Sequence, residues 1–377
     1  MTTSSTTRTA SAFPRDTSDT LPRVTTSLDL SLHGGALTAA LVDIESVSGN
    51  EQRLAGLVEN ALLPLSHLQV TRDGNAVVAR TELGRPERVV IAGHLDTVPI
   101  ADNVPSRRDG DRLYGCGTCD MKAGVAVQLR LAAHLPDPNR DVTYVFYDCE
   151  EVDAARNGLS RLSRTMPELI SGDFAVLMEP SNARVEGGCQ GTLHAHVTVR
   201  GERAHSARSW LGSNAIHATA TVLQRLADYR AERVVVDGLE YREGLNATII
   251  RGGQAANVIP DECVVSVNYR FAPSRTVEEA YARVVELFPE FELSLVDSAP
   301  GARPGLDQPA AAAFVQAVGG DVLPKLGWTD VALFSELGVP AVNFGPGDPN
   351  VAHTRGEYVD LDRIEACEKS MVAWLTG

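Results

Sequence analysis

The chain has 377 residues, of which 44% are hydrophobic and 22% charged, and its formal net charge at pH 7 is -15. This composition is typical of a globular protein large enough for two domains, or for one domain with a large insertion. The negative charge argues against nucleic acid or an anionic membrane as a partner, and no stretch reaches the roughly 18 apolar residues that a membrane span needs.

The N-terminal segment differs in composition from the rest of the chain. Residues 1–27 are rich in Ser and Thr, lack an apolar segment and include Asp16 and Asp19, which predicts a disordered leader rather than a secretory signal or transit peptide. The six cysteines are scattered along the rest of the chain, which predicts reduced thiols and a cytoplasmic location. Cys116-x-x-Cys119 resembles half of a zinc ribbon, but no second pair follows at ribbon spacing.

Helical and strand patterns alternate in the N-terminal half. Apolar residues recur every three or four positions between 36 and 65, which predicts amphipathic helices. Continuous apolar stretches predict buried strands at 88–94, 141–148 and 174–180, with helical patterns between them at 121–134 and 155–165. This alternation predicts an α/β domain with a largely parallel sheet.

A different pattern begins near residue 192. The stretches at 192–200 and 262–271 alternate strictly between apolar and polar residues, as in strands with one wet face. His194 and His196 occupy alternate positions of the first stretch, and we interpret them as sheet-face residues. With helices predicted at 212–228 and 276–287, the segment 192–302 is expected to form a smaller α+β domain.

The C-terminal segment returns to the earlier pattern. It contains a predicted helix at 309–318, a strand at 339–344 and a helix at 361–375, and it carries His353. We therefore predict one catalytic domain at 28–191 and 303–377, interrupted by an inserted domain at 192–302.

Acidic residues and histidines follow the ends of the predicted parallel strands. His94 and Asp96 follow the first strand, Glu150 and Glu151 the second, and Glu179 the third. Parallel strands end at one edge of the sheet, where ligands bind in open α/β folds. Each residue alone also fits an ordinary surface turn, acidic loop or sheet edge, whereas their joint order predicts a metal site.

Two further residues extend this set. Asp120 ends a glycine-rich loop and also suits a simple helix cap, while His353 lies in a loop of turn-forming residues. The loop order G-C-G-T-C-D fits neither a phosphate-binding loop nor a dinucleotide fingerprint. Mixed nitrogen and oxygen donors suit zinc, with cobalt or manganese as substitutes. Because Glu150 and Glu151 point in different directions, one can bind metal while the other faces a substrate.

Seven motifs together carry a family resemblance: GHLDTVP, GCGTCDMKAG, CEEV, MEPS, GERAHS, NVIP and GPGDPNVAHT. They resemble the zinc-dependent aminoacylase and carboxypeptidase clan, and within it the succinyl-diaminopimelate desuccinylase family of the actinobacterial type, over residues 36–377. The resemblance implies hydrolysis of N-succinyl-LL-2,6-diaminopimelate by a homodimer with two Zn²⁺ ions per subunit, Co²⁺ being a possible substitute. It also implies a catalytic α/β domain interrupted by a dimerisation domain, or lid.

The resemblance assigns a role to each candidate residue. The implied metal ligands, with Asp120 bridging the two ions, are His94, Asp120, Glu151, Glu179 and His353. The implied catalytic residues are Glu150 as general base, Asp96 as the residue that orients His94, and His205 as an oxyanion donor from the partner subunit. Asn257 and Arg270 match substrate-binding positions of the family, although Arg270 also suits a surface salt bridge. Asn214 is a further candidate for contact with substrate or oxyanion and equally suits a helix cap.

One segment departs from the family pattern. Some desuccinylases carry an arginine-bearing R-x-G-S segment after the Glu-Pro motif, whereas residues 188–192 read GCQGT here. A substrate with several carboxylates then needs other cations, such as Arg270 and additionally Arg251 or Lys325. Two alternatives stay open: another N-acyl amino acid deacylase or dipeptidase of the clan, such as an acetylornithine deacetylase, and a non-catalytic binding protein on the same fold.

Overall fold

The computed structural model describes residues 26–377, so most of the predicted leader at 1–27 lies outside the described residues. The strands are β1 (Gln69–Asp73), β2 (Ala76–Arg80), β3 (Arg88–His94), β4 (Arg107–Asp109), β5 (Arg112–Tyr114), β6 (Asp141–Tyr147), β7 (Phe174–Leu177), β8 (Glu186–Gly187), β9 (Gly191–Arg200), β10 (Ala204–His205), β11 (Arg233–Val236), β12 (Leu239–Arg242), β13 (Gly244–Gly252), β14 (Val258–Ile259), β15 (Glu262–Phe271), β16 (Glu292–Ala299), β17 (Leu323–Pro324), β18 (Ala341–Asn343) and β19 (Tyr358–Asp360).

The helices are α1 (Gly34–Val42), α2 (Gln52–Leu62), α3 (Ala123–His134), α4 (Gly158–Thr165), α5 (Pro167–Ile170), α6 (Ala215–Ala218), α7 (Ala220–Asp228), α8 (Val277–Leu287), α9 (Pro309–Val318), α10 (Val331–Glu336) and α11 (Leu361–Thr376). Short irregular helical turns cover Thr118–Lys122 and Ser206–Leu211. No helix in residues 26–377 combines the length and the apolar character that crossing a membrane requires.

An eight-stranded sheet forms the larger part of the molecule, which we call the body, in the order β1-β2-β6-β3-β7-β18-β8-β17. Its central strands β6, β3, β7 and β18 are parallel, which confirms the α/β class. Helices α1, α2, α3, α9 and α11 cover one face, and α4, α5 and α10 the other. Because both faces are covered, these strands are continuously apolar.

The flanks of this sheet are antiparallel, so the sheet is mixed rather than purely parallel. Strand β2 pairs antiparallel with β1 and β6, and β18 pairs antiparallel with β8. We did not predict the β1–β2 hairpin, although its turn residues Gly74 and Asn75 stand between two strand-like runs.

A four-stranded antiparallel sheet, in the order β13-β15-β9-β16, forms the smaller part, which we call the lid. One face packs against α7 and α8 through apolar side chains such as Val197, Val267 and Phe288, and the other face is polar, as the alternating pattern predicted. The predicted helix at 212–228 begins too early: Gly212 is extended, and Asn214 caps a helix that begins at Ala215.

The chain enters and leaves the lid at one place. Cys189 and Ala302 exchange two backbone hydrogen bonds, of 3.0 and 3.1 Å, just outside the lid sheet. The neighbouring Gly301 has no room for a side chain, because a Cβ there would lie 2.7 Å from the Cys189 carbonyl oxygen and 2.7 Å from the Gly191 nitrogen. The two connections therefore run in direct contact.

Candidate metal centre and cleft

The candidate residues of the body lie at the carboxyl edge of the parallel strands. His94 is the last residue of β3, and Glu150, Glu151 and Glu179 follow β6 and β7 within a few residues. Because β3, β6 and β7 are parallel neighbours, the ends of these strands deliver the four side chains to one place.

Asp120 lies between two histidines. Its Oδ1 is 3.1 Å from Nε2 of His94, and its Oδ2 is 3.4 Å from Nε2 of His353. Nε2 of His353 also lies 2.8 Å from Oε1 of Glu151. One carboxylate therefore faces two imidazoles through different oxygens, the arrangement expected of a ligand shared by two metal ions.

The donor atoms form two sets that share Asp120. His94, Asp120 and Glu179 form one set, and Asp120, Glu151 and His353 form the other, with the donor atoms of each set within 4.8 Å of one another. Nitrogen and carboxylate donors of this kind suit zinc and related divalent ions. Oε1 of Glu179 is buried without a hydrogen-bond partner among the described residues, and a bound ion would satisfy it.

The electrostatics of this cluster favour a cation. Burial raises the pKa of Glu179 to about 8, and the Asp120 carboxylate adds to that shift. Burial likewise raises the pKa of Glu150 well above its ordinary range; His94 opposes this shift and Glu179 adds to it. Hydrogen bonds with Asp120 and Glu151 raise the pKa of His353 to about 10. These shifts reflect carboxylates crowded out of water, and a divalent cation would stabilise their ionised forms.

Asp96 connects the histidine ligand with the glutamate pair. Nδ1 of His94 lies 3.0 Å from the Asp96 backbone oxygen and 3.5 Å from its Oδ1, so Nε2 is left to face Asp120. The same carboxylate accepts the backbone N–H groups of Glu150 and Glu151, each at 3.0 Å, and the Ser48 hydroxyl at 2.7 Å. Asp96 therefore fixes the turn that presents both glutamates.

Glu357 is a buried residue of the site that the sequence analysis missed. Its carboxylate accepts the backbone N–H groups of Gly117, Cys119 and Asp120. Burial raises the pKa of Glu357 to about 7 although these hydrogen bonds oppose the shift. The only signal in the sequence is an acidic residue four positions after His353, directly before a strand.

A cleft of about 790 Å³ separates the metal-ligand cluster from the lid. From the lid, Thr192, His194 and Arg270 line it, together with parts of β16. Nε of Arg270 donates to Oδ1 of Asn268 at 3.3 Å, and Nδ2 of Asn268 lies 3.0 Å from Nε2 of His194. His194 is thus a sheet-face residue, as interpreted, and the face it occupies is a wall of the cleft.

Three candidate residues of the lid lie outside the lining of this cleft in the described chain. His205 is exposed, and its Nδ1 accepts the Ala207 N–H at 3.0 Å. The Asn214 side chain accepts the His217 N–H at 3.2 Å and caps a helix. Asn257 is exposed next to His205, since its carbonyl accepts the Ser206 N–H at 2.9 Å. These residues group together on the lid, away from the ligand cluster.

The other cations and thiols occupy distinct positions. Lys325 lines the cleft but is buried, donating to the Pro180 carbonyl at 2.8 Å and lying 3.1 Å from Glu186. Arg251 lines a separate lid pocket with His196. All six cysteines are buried and unpaired, so Cys116-x-x-Cys119 forms no disulfide.

The chain resembles proteins of known family over most of its length. The model of peptidase family M20/M25/M40 matches residues 90–376. A Mycobacterium tuberculosis H37Rv protein, named as a candidate succinyl-diaminopimelate desuccinylase, DapE, is 54% identical over 344 residues, or 90% of this chain and 97% of that protein. The succinyl-diaminopimelate desuccinylase of Corynebacterium glutamicum is 47% identical over 339 residues, or 87% of this chain and 92% of the relative.

A solved structure supports the fold independently of close sequence similarity. The crystal structure of a tripeptidase from Staphylococcus aureus matches with a TM-score of 0.73 at 20% identity, covering 92% of this chain and 98% of that chain. At this identity, the likeness concerns the fold alone.

Proposed function

The chain belongs to peptidase family M20/M25/M40, and from that premise we propose that it hydrolyses N-succinyl-LL-2,6-diaminopimelate to succinate and LL-2,6-diaminopimelate. The desuccinylase names of two relatives that align with nearly the whole chain support this substrate. The observation that carries the reaction type is the pair of ligand sets sharing Asp120, with Glu150 beside them in the cleft. The product would enter lysine and cell-wall precursor synthesis in the cytoplasm, where buried free thiols stay reduced.

We propose that two Zn²⁺ ions occupy the two ligand sets, with Co²⁺ as a possible substitute. His94 and Glu179 would hold one ion, Glu151 and His353 the other, and Asp120 both. When bound, such ions lower the pKa of a water molecule and polarise the carbonyl of the scissile amide.

Glu150 is the proton carrier in this proposal. Its carboxylate lines the cleft and makes no hydrogen bond with another described residue, while Asp96 holds its backbone N–H. Glu150 accepts a proton from water as the water oxygen bonds to the amide carbon. It then gives that proton to the amide nitrogen as the C–N bond breaks, which yields a carboxylic acid and a free amine; the acid then loses its proton to the amine, so the products are a carboxylate and an ammonium group.

Arg270 is the proposed binding group for a substrate carboxylate. It faces the cleft from β15 and has no ion pair with a described residue, whereas the opposite wall is strongly acidic. A guanidinium can bind a carboxylate through two parallel hydrogen bonds. The proposed substrate carries several carboxylates, so a cation on the lid would also draw the lid and the substrate together.

The proposed homodimer forms through the lid. Large apolar side chains are exposed there on α6, α7, β13 and the turn after β10, namely Trp210, Leu211, Ile216, Leu223, Ile249 and Ile250. Strand β13 is an edge strand whose outer side pairs with no described strand. His205 and Asn257 lie close to this surface, so pairing two lids would place them near the cleft of the other subunit.

Substrate preference tests the proposal. Purified, zinc-loaded protein is assayed with N-succinyl-LL-2,6-diaminopimelate, N-acetylornithine and dipeptides, and we expect turnover of the succinyl compound to exceed the others by orders of magnitude. Negligible turnover of that compound with good turnover of either alternative would reassign the chain to another activity of its family. No hydrolysis of any of them by protein that binds two ions would favour a binding role.

A further inference from the structure

We propose that Glu357 is a positioning residue that holds the shared ligand Asp120 in place against His353, and thereby sets the affinity of both metal sites together. The inference rests on the proposed function, because it concerns the same ligands. Glu357 belongs to neither ligand set, and its two carboxylate oxygens face backbone N–H groups of the loop.

Three hydrogen bonds connect Glu357 to the loop that carries Asp120. Oε1 accepts the N–H of Cys119 at 2.9 Å and that of Asp120 at 3.1 Å, and Oε2 accepts the N–H of Gly117 at 3.0 Å. The Glu357 carbonyl also accepts the Gly115 N–H at 3.1 Å. The residue is 1% exposed, so these bonds are shielded from water.

The loop needs an acceptor of this kind. Gly117 has a φ of +78°, and Asp120 and Met121 have non-helical backbone angles, so this segment cannot satisfy its own N–H groups as a regular helix does. Buried N–H groups without partners are costly. One carboxylate that accepts three of them fixes the path of the loop, and the side chain of Asp120 follows that path.

Glu357 also follows the segment that carries the second histidine. Its N–H donates to the carbonyl of Thr354 at 3.2 Å, next to His353. Directly after Glu357, β19 pairs with β5, with Tyr358 opposite Tyr114. The strand before the Asp120 loop and the strand after the His353 loop are thus neighbours, and Glu357 connects the two loops at their ends.

The energetic cost of this carboxylate supports a role beyond packing. No Lys or Arg of the described chain forms an ion pair with Glu357 within 4.0 Å; the nearby buried Lys122 donates instead to the carbonyls of Leu41 and Ile44. A buried, unpaired carboxylate is expensive unless its hydrogen bonds compensate. Its three N–H partners offset part of that cost, and all three lie in the ligand loop.

Glu357→Gln tests the inference, because glutamine keeps the shape but replaces one acceptor oxygen with a donor amide. We expect Zn²⁺ affinity at both sites to fall by about 10- to 100-fold, the usual effect of removing a group that orients metal ligands. We also expect the visible absorption spectrum of the Co²⁺-substituted protein to change, since that spectrum reports ligand geometry. Metal content after dialysis and calorimetric titration with Zn²⁺ measure the affinities.

Asp141→Asn is the matched control. Asp141 is also buried and accepts two backbone N–H groups and a hydroxyl, from Leu83, Arg85 and Thr81, but it begins β6 rather than following its end. It lies about one strand length, roughly 20 Å, from the metal ligands. This variant should lose stability without changing Zn²⁺ affinity or the Co²⁺ spectrum.

The outcomes distinguish a positioning role of Glu357 from a purely structural one, and failure of this inference from failure of the proposed function. If Glu357→Gln lost stability as Asp141→Asn does but kept wild-type Zn²⁺ affinity and Co²⁺ spectrum, Glu357 would be only structural and the inference would be wrong. If glutamine prevents folding, Glu357→Asp keeps the charge and shortens the reach, and the same two measurements decide. Failure of the wild-type protein to bind two ions would overturn the proposed function instead, and so would hydrolysis of none of the three substrate classes.

Discussion

The two walls of the cleft differ in how many of their proposed functional residues one chain brings together there. On the body wall, the ligands approach one another within hydrogen-bonding distance and their orienting partners are buried. On the lid wall, Arg270 and His194 face the cleft. His205, also in the lid, is exposed to solvent outside the lining of this cleft. In our proposal, one chain supplies both metal-ligand sets, while binding and turning over a substrate depend on the lid and on a second lid.

The largest expected effect concerns the glutamate pair on the body wall. Glu150→Gln should lower kcat by about 10²- to 10⁴-fold, because it removes the proton carrier, and should leave Zn²⁺ content unchanged. Its neighbour supplies the control, since Glu151→Gln should reduce metal content as well as activity. Steady-state kinetics with metal analysis of both variants measures this. Wild-type hydrolysis by Glu150→Gln would remove Glu150 from the mechanism.

The second prediction concerns whether the other subunit of the proposed homodimer supplies His205 to the cleft. His205→Asn should lower kcat by about 10²- to 10³-fold, the usual cost of losing an oxyanion donor, with metal content unchanged. Mixing it with Glu150→Gln should restore activity, because a heterodimer contains one site with both groups. Random exchange at equal amounts predicts about a quarter of wild-type activity. If the mixture gained nothing after confirmed exchange, His205 would act within its own chain or not at all.

The third prediction compares an arginine that lines the cleft with an arginine elsewhere on the lid. Arg270→Lys should lower kcat/KM by about 10- to 100-fold, because an ammonium cannot reproduce the paired hydrogen bonds of a guanidinium. Arg251→Lys, in the separate lid pocket, should have wild-type kinetics. Wild-type kinetics for Arg270→Lys would mean that positive charge on the lid, which lysine keeps, decides affinity rather than paired hydrogen bonds with the substrate.

The smallest effect concerns the stability of the body alone. Burial by itself would raise the pKa of Asp141, but hydrogen bonds from Leu83, Thr81 and Arg85 lower it below the ordinary value of 3.8. Asp141→Asn should therefore cost about 1–3 kcal/mol of unfolding free energy at neutral pH. The wild-type advantage should be complete above pH 3.8 and disappear as the pH falls through the lowered pKa.

Urea unfolding of the metal-free protein at pH 7 and at a pH below the lowered pKa of Asp141 measures this difference. Metal-free protein is used because acid also releases bound ions. A wild-type advantage of the same size at both pH values would show that the ionised carboxylate is not its source.

The sequence pattern places several of the proposed metal ligands at one edge of the body sheet, whereas the full ligand set and its division between two ions came from the family resemblance. His94, Glu151 and Glu179 follow continuous apolar strands, and parallel strands share one edge. The same logic could not find Glu357, because its partners are backbone N–H groups, which every residue except proline carries. It also could not place His205, whose proposed position depends on a second chain.

Local misassignments have equally specific causes. The predicted helix at 212–228 began too early because helical periodicity does not show where a cap stands, and Asn214 supplies that cap. The hairpin β1–β2 was missed because β1 has no continuous apolar run: two of its five residues are exposed and three are half-buried. Strand ends and short exposed strands depend on such single contacts more than on periodicity.

The paired connections at Cys189 and Ala302 have a consequence for evolution and engineering. A segment whose two ends touch can be replaced by another of different length by cutting the backbone at two neighbouring points. The metal ligands would keep their order along the chain, and the body sheet would keep its strand order. The substrate contacts of the lid, the proposed subunit pairing and the proposed oxyanion donor His205 would thus be exchanged together, separately from the proposed metal ligands and Glu150.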